Sequence, residues 1–326
     1  GYGADESHIR ADLNDRSVFD TEQRQLTWQH DIALGAGSLL AAYEYLEQEV
    51  DSSSAYAKTS RYTNSLLLGW SGQFDRHHLQ LNARHDEDSQ FGSKTTGALA
   101  YGYRLSPEWR ARASIGTAFK APTFNDLYFP WGGNPDLRPE EALNREVGLV
   151  WERDGTRASA TYFNNRIKNL IAWAPLDPAD PMSDWAPANV AQASIQGLEL
   201  AASAMLGDYR VRATVDFLDA EDKESGDELG RRARIGGSLG IERAMGPWTW
   251  GMEWNGQGRR YDRIPNSAAN RMGGYGLLSA YVHYALAPDW SVEVRANNIL
   301  DKDYELAQNY GTQGANAFVA VRYAMH

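Results

Sequence analysis

The sequence predicts an all-β protein, an antiparallel transmembrane β-barrel, and three observations lead to that prediction. Apolar and polar residues alternate with a period of two in about fifteen segments, as in strands with one apolar and one wet face. The connections between these segments are alternately short and long, which is typical of a membrane barrel. Eleven Trp and seventeen Tyr suit the aromatic girdles that such a barrel places at the two membrane interfaces.

The alternation locates the strands individually. In one of the clearest, Tyr209 and Val211 lie on one face and Arg210 and Arg212 on the other. Residues 1–19 are weakly patterned and fit the end of one strand followed by an outer loop. The predicted strands lie near 21–34, 38–50, 60–73, 78–86, 95–105, 108–119, 142–153, 157–173, 190–206, 209–219, 231–245, 247–258, 274–286, 290–299 and 315–325.

The connections follow a long-short rhythm along the whole chain. Short turns are predicted at 35–37, 75–77, 106–107, 154–156, 207–208, 246–247 and 287–289. Long loops are predicted at 51–59, 86–94, 120–141, 174–189, 220–230, 259–273 and 301–314. A soluble β-propeller also has many short strands, but its blades repeat about every 40 residues, and this sequence has no such repeat.

The same alternation assigns the two faces of the sheet. Val292 and Val294 are predicted to meet lipid, whereas Glu293 and Arg295 are predicted to line the lumen. Charges of both signs in the lumen require water or a polar plug, because burying them in a dry core would be prohibitive. A second lipid-facing set, close to an interface, is Trp248, Trp250, Met252 and Trp254.

Composition excludes several classes of protein. The chain of 326 residues has no cysteine, which rules out a disulfide framework and a thiolate metal site. Its net charge of −11 argues against nucleic acid as a partner. The sequence has no apolar run of about 18 residues, so a transmembrane helix is not predicted.

The sequence predicts neither a catalytic site nor a metal site. The seven His are scattered, and the neighbours His77 and His78 would point to opposite faces of a strand. Hydrolase, metalloprotease and phosphate-loop motifs are missing, so the alternative of a Ser/His pair on the barrel wall is disfavoured. The acidic runs Asp86–Asp88 and Asp219–Glu228 have carboxylate density suited to Ca²⁺, but a solvated outer loop is the favoured interpretation.

Residues 116–140 carry a distinctive strand-loop-strand signature. It consists of an aromatic-Lys-Ala-Pro step, a Leu-Tyr pair and Gly-Asn-Pro-x-Leu-x-Pro-Glu. This signature resembles that of TonB-dependent outer-membrane receptors, and within them the chain is most similar to the vitamin B12 (cobalamin) transporters. Three further stretches carry the similarity: His85–Gly92, Gly230–Ala233 and Asn297–Glu305.

The resemblance implies that residues 1–326 are the C-terminal part of a β-barrel. They would supply about 15–16 of the family's roughly 22 strands, while the N-terminal plug and the first barrel strands would precede Gly1. An open sheet edge in lipid would leave backbone groups without partners, so barrel closure or a partner is expected. The last strand resembles the terminal strand that barrel-assembly machinery recognises, with Met325 in place of the usual Phe.

The resemblance also implies a function in the bacterial outer membrane. The expected activity is uptake of cobalamin or a related corrinoid, with outer-membrane lipid around the barrel and the TonB complex acting through the missing plug. No cofactor is implied for this chain, because the family's Ca²⁺ sites lie in loops that would precede Gly1. The alternatives are a siderophore or haem receptor and a passive porin-like channel, although the loop 120–141 has no His to bind haem.

Six residues are candidates for contact with the ligand. By resemblance, Arg231 and Tyr310 match substrate-contacting residues of the cobalamin transporters. Four more rest on side-chain chemistry alone, since Arg and aromatic residues contribute most per contact: Tyr128, Trp131, Arg260 and Tyr261. The alternative for Arg231 is an ion pair with a carboxylate of the barrel wall, and for Tyr128 and Trp131 it is packing within the loop.

Overall fold

The structure is a computed structural model, and it describes residues 2–10, 16–130, 132–176 and 183–324. The chain divides into two compact units. The first unit comprises Gly1–Tyr103, Ala113–Arg145 and Asn165–Ala193. The second unit comprises Arg104–Arg112, Glu146–Asn164 and Ser194–His326.

The described residues form eighteen strands, one short α-helix and one 3₁₀ turn. The strands are β1 (Tyr2–Arg10), β2 (Arg16–Leu34), β3 (Gly37–Ser52), β4 (Ser60–Phe74), β5 (His77–Asp88), β6 (Gly92–Arg104), β7 (Trp109–Lys120), β8 (Glu140–Arg153), β9 (Thr156–Pro175), β10 (Trp185–Leu206), β11 (Tyr209–Asp222), β12 (Ile235–Met245), β13 (Trp248–Gln257), β14 (Arg260–Tyr261), β15 (Arg271–Met272), β16 (Tyr275–Ala287), β17 (Trp290–Asn297) and β18 (Asn316–Tyr323). The helix α1 spans Phe124–Tyr128, and the 3₁₀ turn spans Ala268–Asn270.

Sixteen of these strands pair in one antiparallel sheet that follows chain order. The order runs from β1 to β13 and then through β16, β17 and β18, while β14 and β15 pair with each other inside a loop. Consecutive strands that pair directly need only hairpin connections, which is the connectivity of an up-and-down barrel sheet. The predicted all-β antiparallel fold is therefore confirmed. Strand β1 agrees with the strand end expected within residues 1–19, although its residues show only weak alternation.

One predicted connection is wrong. The segment 86–94 is predicted to be a long loop, but β5 extends to Asp88 and only three residues separate it from β6. The Asp88 carboxylate closes this turn by accepting hydrogen bonds from the backbone N–H groups of Gln90 (2.8 Å) and Phe91 (3.0 Å). The solvated-loop interpretation of this acidic run is also wrong for Asp86, which is buried within the strand pairing.

One face of the sheet exposes large apolar side chains at every second position. In the first unit these include Leu26 and Trp28 on β2 and Leu66 and Leu68 on β4, all of them exposed. In the second unit the predicted lipid-facing residues Trp248, Met252 and Trp254 are exposed as well. Such continuous apolar surface is stable against hydrocarbon and unfavourable in water. No helix in the described part of the chain is long and apolar enough to cross a membrane.

The opposite face carries paired charges. In the first unit Arg84 donates to Glu44 (2.8 Å) and to Asp86 (2.7 Å), and it also reaches the hydroxyl of Ser65 (2.7 Å). Glu44, Ser65 and Asp86 are aligned across β3, β4 and β5, so the register itself assembles this group. Mutual pairing lowers the cost of removing these charges from bulk water.

A comparable row on the second unit depends on a glycine. Glu242, Gly251 and Tyr281 are aligned across β12, β13 and β16. The Tyr281 hydroxyl crosses over β13 and donates to Glu242 at 2.5 Å. A Cβ on Gly251 would lie 2.5 Å from the Tyr281 ring, so only glycine allows this crossing. Arg212 completes the group at 3.6 Å from Glu242.

Candidate ligand-binding site in the outer loops

Three long loops of the second unit bind one another and carry most of the candidate residues. They are loop A (residues 223–234), loop B (258–274) and loop C (298–315). Asp262 of loop B joins them, because its Oδ1 accepts from Arg231 Nε of loop A (2.9 Å) and from the Gln308 N–H of loop C (3.1 Å). A second A–B link is the reciprocal pair in which Glu228 N donates to Asn266 Oδ1 (2.6 Å) and Asn266 Nδ2 donates to Glu228 O (2.9 Å).

Asp262 is a buried carboxylate that is stabilised in its ionised form by hydrogen bonds and nearby positive charges. Burial raises the pKa of Asp262, but the hydrogen bonds from Arg231 and from the Gln308 N–H, with the positive charges of Arg231 and Arg263, outweigh it and hold that pKa below its usual value. Its own N–H donates to Asn270 O (2.8 Å). The ionised form therefore persists at neutral pH and keeps loops A, B and C together.

Arg231 is held in a fixed backbone position with its side chain accessible. Its φ of +60° is in the left-handed region, and its N–H donates to Tyr261 O at 2.6 Å. The preceding Gly230 packs directly on Asp262, where a Cβ would lie 2.5 Å from the carbonyl oxygen. The side chain of Arg231 stays 57% exposed although Nε is paired. Arg231 therefore forms an ion pair, but with a loop carboxylate and not with the barrel wall of the predicted alternative, and its guanidinium keeps an exposed surface.

Arg260 and Tyr261 of β14 have a supporting position. Arg260 is only 2% exposed, and its guanidinium donates to Gly273 O (3.4 Å) and to Glu305 O of loop C. It also lies over the Tyr275 ring, 5.4 Å from the centroid. A guanidinium used in this way ties loop B to loop C and has no surface left for a ligand. Tyr261 is half-buried, and its carbonyl fixes Arg231.

Tyr310 of loop C is the most accessible candidate. Its side chain is 72% exposed, while its N–H donates to Ala307 O at 3.1 Å and so holds the backbone in a turn. The loop is anchored near this turn by Gln308, whose Nε2 donates to Ala269 O at 2.6 Å. An exposed aromatic side chain on an anchored backbone suits contact with a large ligand.

Tyr128 lies in the first unit, at the end of α1. Thr123 begins this helix with a capping box, because its hydroxyl accepts from Asp126 N and its N–H donates to the Asp126 carboxylate. Tyr128 is half-buried, and its hydroxyl accepts from Gln90 Nε2 at 2.6 Å. Its hydroxyl therefore joins its own loop to the β5–β6 turn, whereas the predicted alternative is packing within the loop. The remaining candidate, Trp131, lies outside the described residues.

Sequence reasoning missed the residues that hold the site together. Asp262 and Gln308 are 46 positions apart and neither lies in an alternating segment, so no periodic signal connects them. Within the described part of the chain, no group of three or more His, Asp or Glu side chains is arranged to hold a metal ion.

Comparison with known proteins identifies the family. The family model described as "TonB dependent receptor-like, beta-barrel" matches residues 2–299. This chain therefore belongs to the β-barrel family of TonB-dependent receptors, which are proteins of the bacterial outer membrane. The family and the relatives described below are receptors and transporters, not enzymes.

Among curated proteins, the chain is similar to vitamin B12 transporters. It is 32% identical over 321 residues to BtuB of Photobacterium profundum, covering 98% of this chain and 53% of that protein. It is 30% identical over 320 residues to BtuB of Vibrio vulnificus, covering 94% of this chain and 51% of that protein. The chain thus spans about half the length of the curated relatives it matches.

Solved structures share the fold at low identity. The ferric enterobactin receptor PfeA of Pseudomonas aeruginosa aligns with a TM-score of 0.76 at 18% identity, over 95% of this chain and 54% of that one. The copper transporter OprC aligns with a TM-score of 0.79 at 16% identity, over 94% of this chain and 57% of that one. These similarities establish the fold and say nothing of the ligand.

Proposed function

We propose that this protein is a receptor that takes up cobalamin or a related corrinoid across the outer membrane. The proposal is supported chiefly by one combination: sequence similarity to vitamin B12 transporters over nearly the whole chain, and outer loops that present Arg231 and Tyr310. Arg231 supplies fixed donors, and Tyr310 supplies an apolar face with a hydroxyl. Both suit a macrocycle bordered by amide side chains.

The bonding among loops A, B and C supports binding in a specific way. A ligand that must order a flexible loop loses affinity, because each immobilised side chain costs about 0.5–1.5 kcal/mol. Here Asp262 and Arg260 already hold loops B and C together through hydrogen bonds to the backbone of Gln308 and Glu305. Ligand binding would therefore not have to order the loops themselves, and only the contacting side chains would lose conformational freedom.

Energy for release of the ligand into the periplasm is proposed to come from the TonB complex. Family membership supports this part of the proposal. The coupling would act through a plug domain of the whole protein. This chain spans about half the length of the curated relative it matches. The lumen face of the sheet, with its paired charges, would be the wall against which a polar plug rests.

Calorimetry on the full-length gene product tests the proposal. The protein in detergent with calcium is titrated with cyanocobalamin, and Arg231→Ala and Tyr310→Ala are each expected to weaken binding by about 10- to 30-fold, the effect of an interface residue worth 1.4–2 kcal/mol. Arg153→Ala is a matched control, since Arg153 also has an exposed side chain with Nε on an aspartate (Asp154, 3.2 Å) but lies at a short turn.

The outcomes separate the candidate ligands. Tight binding that weakens in both loop variants and not in the control supports the corrinoid assignment. A folded protein that ignores cyanocobalamin but binds a ferric siderophore would make it a siderophore receptor of the same family. Binding of neither, with steady diffusion of small solutes through the protein in liposomes, would favour a passive channel.

A further inference from the structure

A cavity of about 320 Å³ in the second unit adjoins Arg231 and is lined by residues with no assigned role. Glu199, Asp216 and Arg232 line it together with Arg231. A complete binding pocket for a drug-sized molecule has about 300–1,000 Å³, so this cavity has room for one arm of a large ligand and not for the whole of it.

The cavity exists because of a glycine in the strand register. Asp216, Gly236 and Gln257 are aligned across β11, β12 and β13, so their side-chain positions share one face. Residues at these paired positions lie on neighbouring strands about 4.8 Å apart. A Cβ on Gly236 would meet only Gly256 O, at 3.7 Å, and the space above it is open. Any larger side chain at position 236 would occupy the cavity.

The charged side chains of the cavity differ in how many of their hydrogen-bonding groups already have partners. Arg231 is paired with Asp262, and Arg232 donates to Gly230 O at 3.1 Å. The carboxylates of Glu199 and Asp216 are exposed, and neither forms an ion pair or hydrogen bond with another residue in the ranges that the structure describes. Both guanidinium groups therefore already have hydrogen-bond partners, whereas the two carboxylates have no donor among the described residues.

We propose that this cavity senses the charge of the ligand: it receives a neutral carboxamide arm and disfavours an anionic one. The inference rests on the proposed function and adds a specificity element to it. A carboxamide can donate its NH₂ group to Glu199 or Asp216 and accept from a guanidinium with its carbonyl oxygen. A carboxylate in the same position can only accept, and it meets two like charges.

Distance makes this repulsion effective. A sphere with the volume of the cavity has a radius of about 4 Å, so a group at its centre lies within about half a Debye length of the lining charges, that length being about 8 Å at physiological ionic strength. An anionic arm would therefore experience both carboxylates with little screening. Of the two arginines, Arg231 is offset by its ion pair with Asp262, so the charge of Arg232 reduces this repulsion without cancelling it. By the same reasoning the cavity disfavours polyanionic ferric catecholate complexes, and it therefore favours a corrinoid over such a siderophore as the ligand.

The first experiment compares cyanocobalamin with its monocarboxylate isomers, in which one carboxamide is a carboxylate. The full-length wild-type protein is expected to bind at least one isomer about tenfold more weakly than cyanocobalamin. Asp216→Asn and Glu199→Gln should each reduce that discrimination to about threefold or less. Glu253→Gln is the matched control, because Glu253 is an exposed carboxylate on β13 that does not line the cavity.

The second experiment fills the cavity. Gly236→Leu is expected to weaken cyanocobalamin binding at least about tenfold, the loss caused by excluding one ligand arm. Gly240→Leu is its control: Gly240 lies on the same strand and face, outside the cavity, and a Cβ there would meet nothing closer than Met252 O at 3.9 Å. The binding constant of the Gly240 variant should stay within about twofold of wild type.

These results distinguish failure of the inference from failure of the proposed function. If wild-type protein binds cyanocobalamin but treats the monocarboxylates equally, or if Gly236→Leu binds as tightly as Gly240→Leu, the charge-sensing role is overturned and the function stands. If wild-type protein does not bind cyanocobalamin, the proposed function is overturned and the inference with it.

Discussion

Replacing Asp262 by alanine is expected to loosen loops A, B and C together. The substitution removes the oxygen that accepts from Arg231 Nε (2.9 Å) and from the Gln308 N–H (3.1 Å). The Gln308 N–H then has no acceptor, which costs about 1–3 kcal/mol for a shielded group. The ion pair with Arg231 adds only about 0.5–1 kcal/mol, since the arginine side chain is 57% exposed. With mid-range values for both contributions, the total is about 2–3 kcal/mol.

Hydrogen exchange of the full-length protein in detergent measures this change directly. Because 1.4 kcal/mol corresponds to a factor of ten, the Gln308 amide should exchange about 30- to 100-fold faster in Asp262→Ala. Asp262→Asn keeps an oxygen for Gln308 and loses only the charge, so its effect should be several-fold smaller. Asp154→Ala, which removes an exposed carboxylate at a short turn, is the control and should leave loop C unchanged.

The reasoning is refuted if Gln308 exchanges at the wild-type rate in Asp262→Ala. That result would mean that loop C is ordered by its other contacts alone, such as the hydrogen bond from Gln308 Nε2 to Ala269 O. An equal effect of the alanine and asparagine variants would show that the charge of Asp262, and not only its oxygen, keeps the Gln308 bond in place.

Two further predictions concern the strand register and pH. Gly251→Ala should displace the Tyr281 ring, which would lie 2.5 Å from the new Cβ, and should lower the free energy of unfolding by about 1–3 kcal/mol in chemical unfolding. In the control Gly240→Ala the Cβ has open space, so the cost should be no more than the change in intrinsic strand propensity. Equal stabilities of the two variants would disprove the steric argument. Because the pKa of Asp262 is lowered on folding, its contribution to stability is complete at neutral pH and is lost as pH falls below about 4. Protection of loop C against hydrogen exchange should therefore decline below that pH in wild type and stay level in Asp262→Asn. Parallel pH profiles of the two proteins would contradict this.

The strands were predictable because a barrel wall imposes a period of two on every segment that crosses the membrane. That constraint is local, so Tyr209–Asp222 and Trp248–Gln257 can be recognised one at a time. Strand ends are less well determined: β12 begins at Ile235 although its alternation extends back to position 231, since loop A holds the residues before it.

The site was only partly predictable for a physical reason. Arg231 and Tyr310 were predicted as ligand contacts from the resemblance to the cobalamin transporters, and the structure gives both an exposed side chain on a hydrogen-bonded backbone. Arg260 has the chemistry of a ligand contact, yet burial turns it into a support for loop C. Burial and the partners of Asp262 depend on contacts between segments far apart in sequence, and no local pattern encodes them.

The signature Gly-Asn-Pro-x-Leu-x-Pro-Glu is explained by loop architecture. In the first unit Asn134 Nδ2 donates to Pro187 O (3.0 Å), Leu137 is buried, and Glu140 accepts from Ile171 N (2.9 Å). Asn134 thus secures the long loop to β10 and Glu140 secures its end to β9, while Leu137 is buried beneath the loop surface. In this chain the residues of the motif therefore serve the folding of the loop and not contact with a ligand.

Most of the bonds that join loops A, B and C end on main-chain atoms. Arg260 binds the carbonyl of Glu305, and Asp262 binds the N–H of Gln308. Every residue except proline has the same main-chain donor and acceptor, so substitutions other than proline at exposed positions such as Tyr310 leave these bonds intact. The rim can therefore evolve toward new nutrients while its framework persists, and a library that randomises exposed loop positions but keeps this framework is the natural starting point for redirecting uptake.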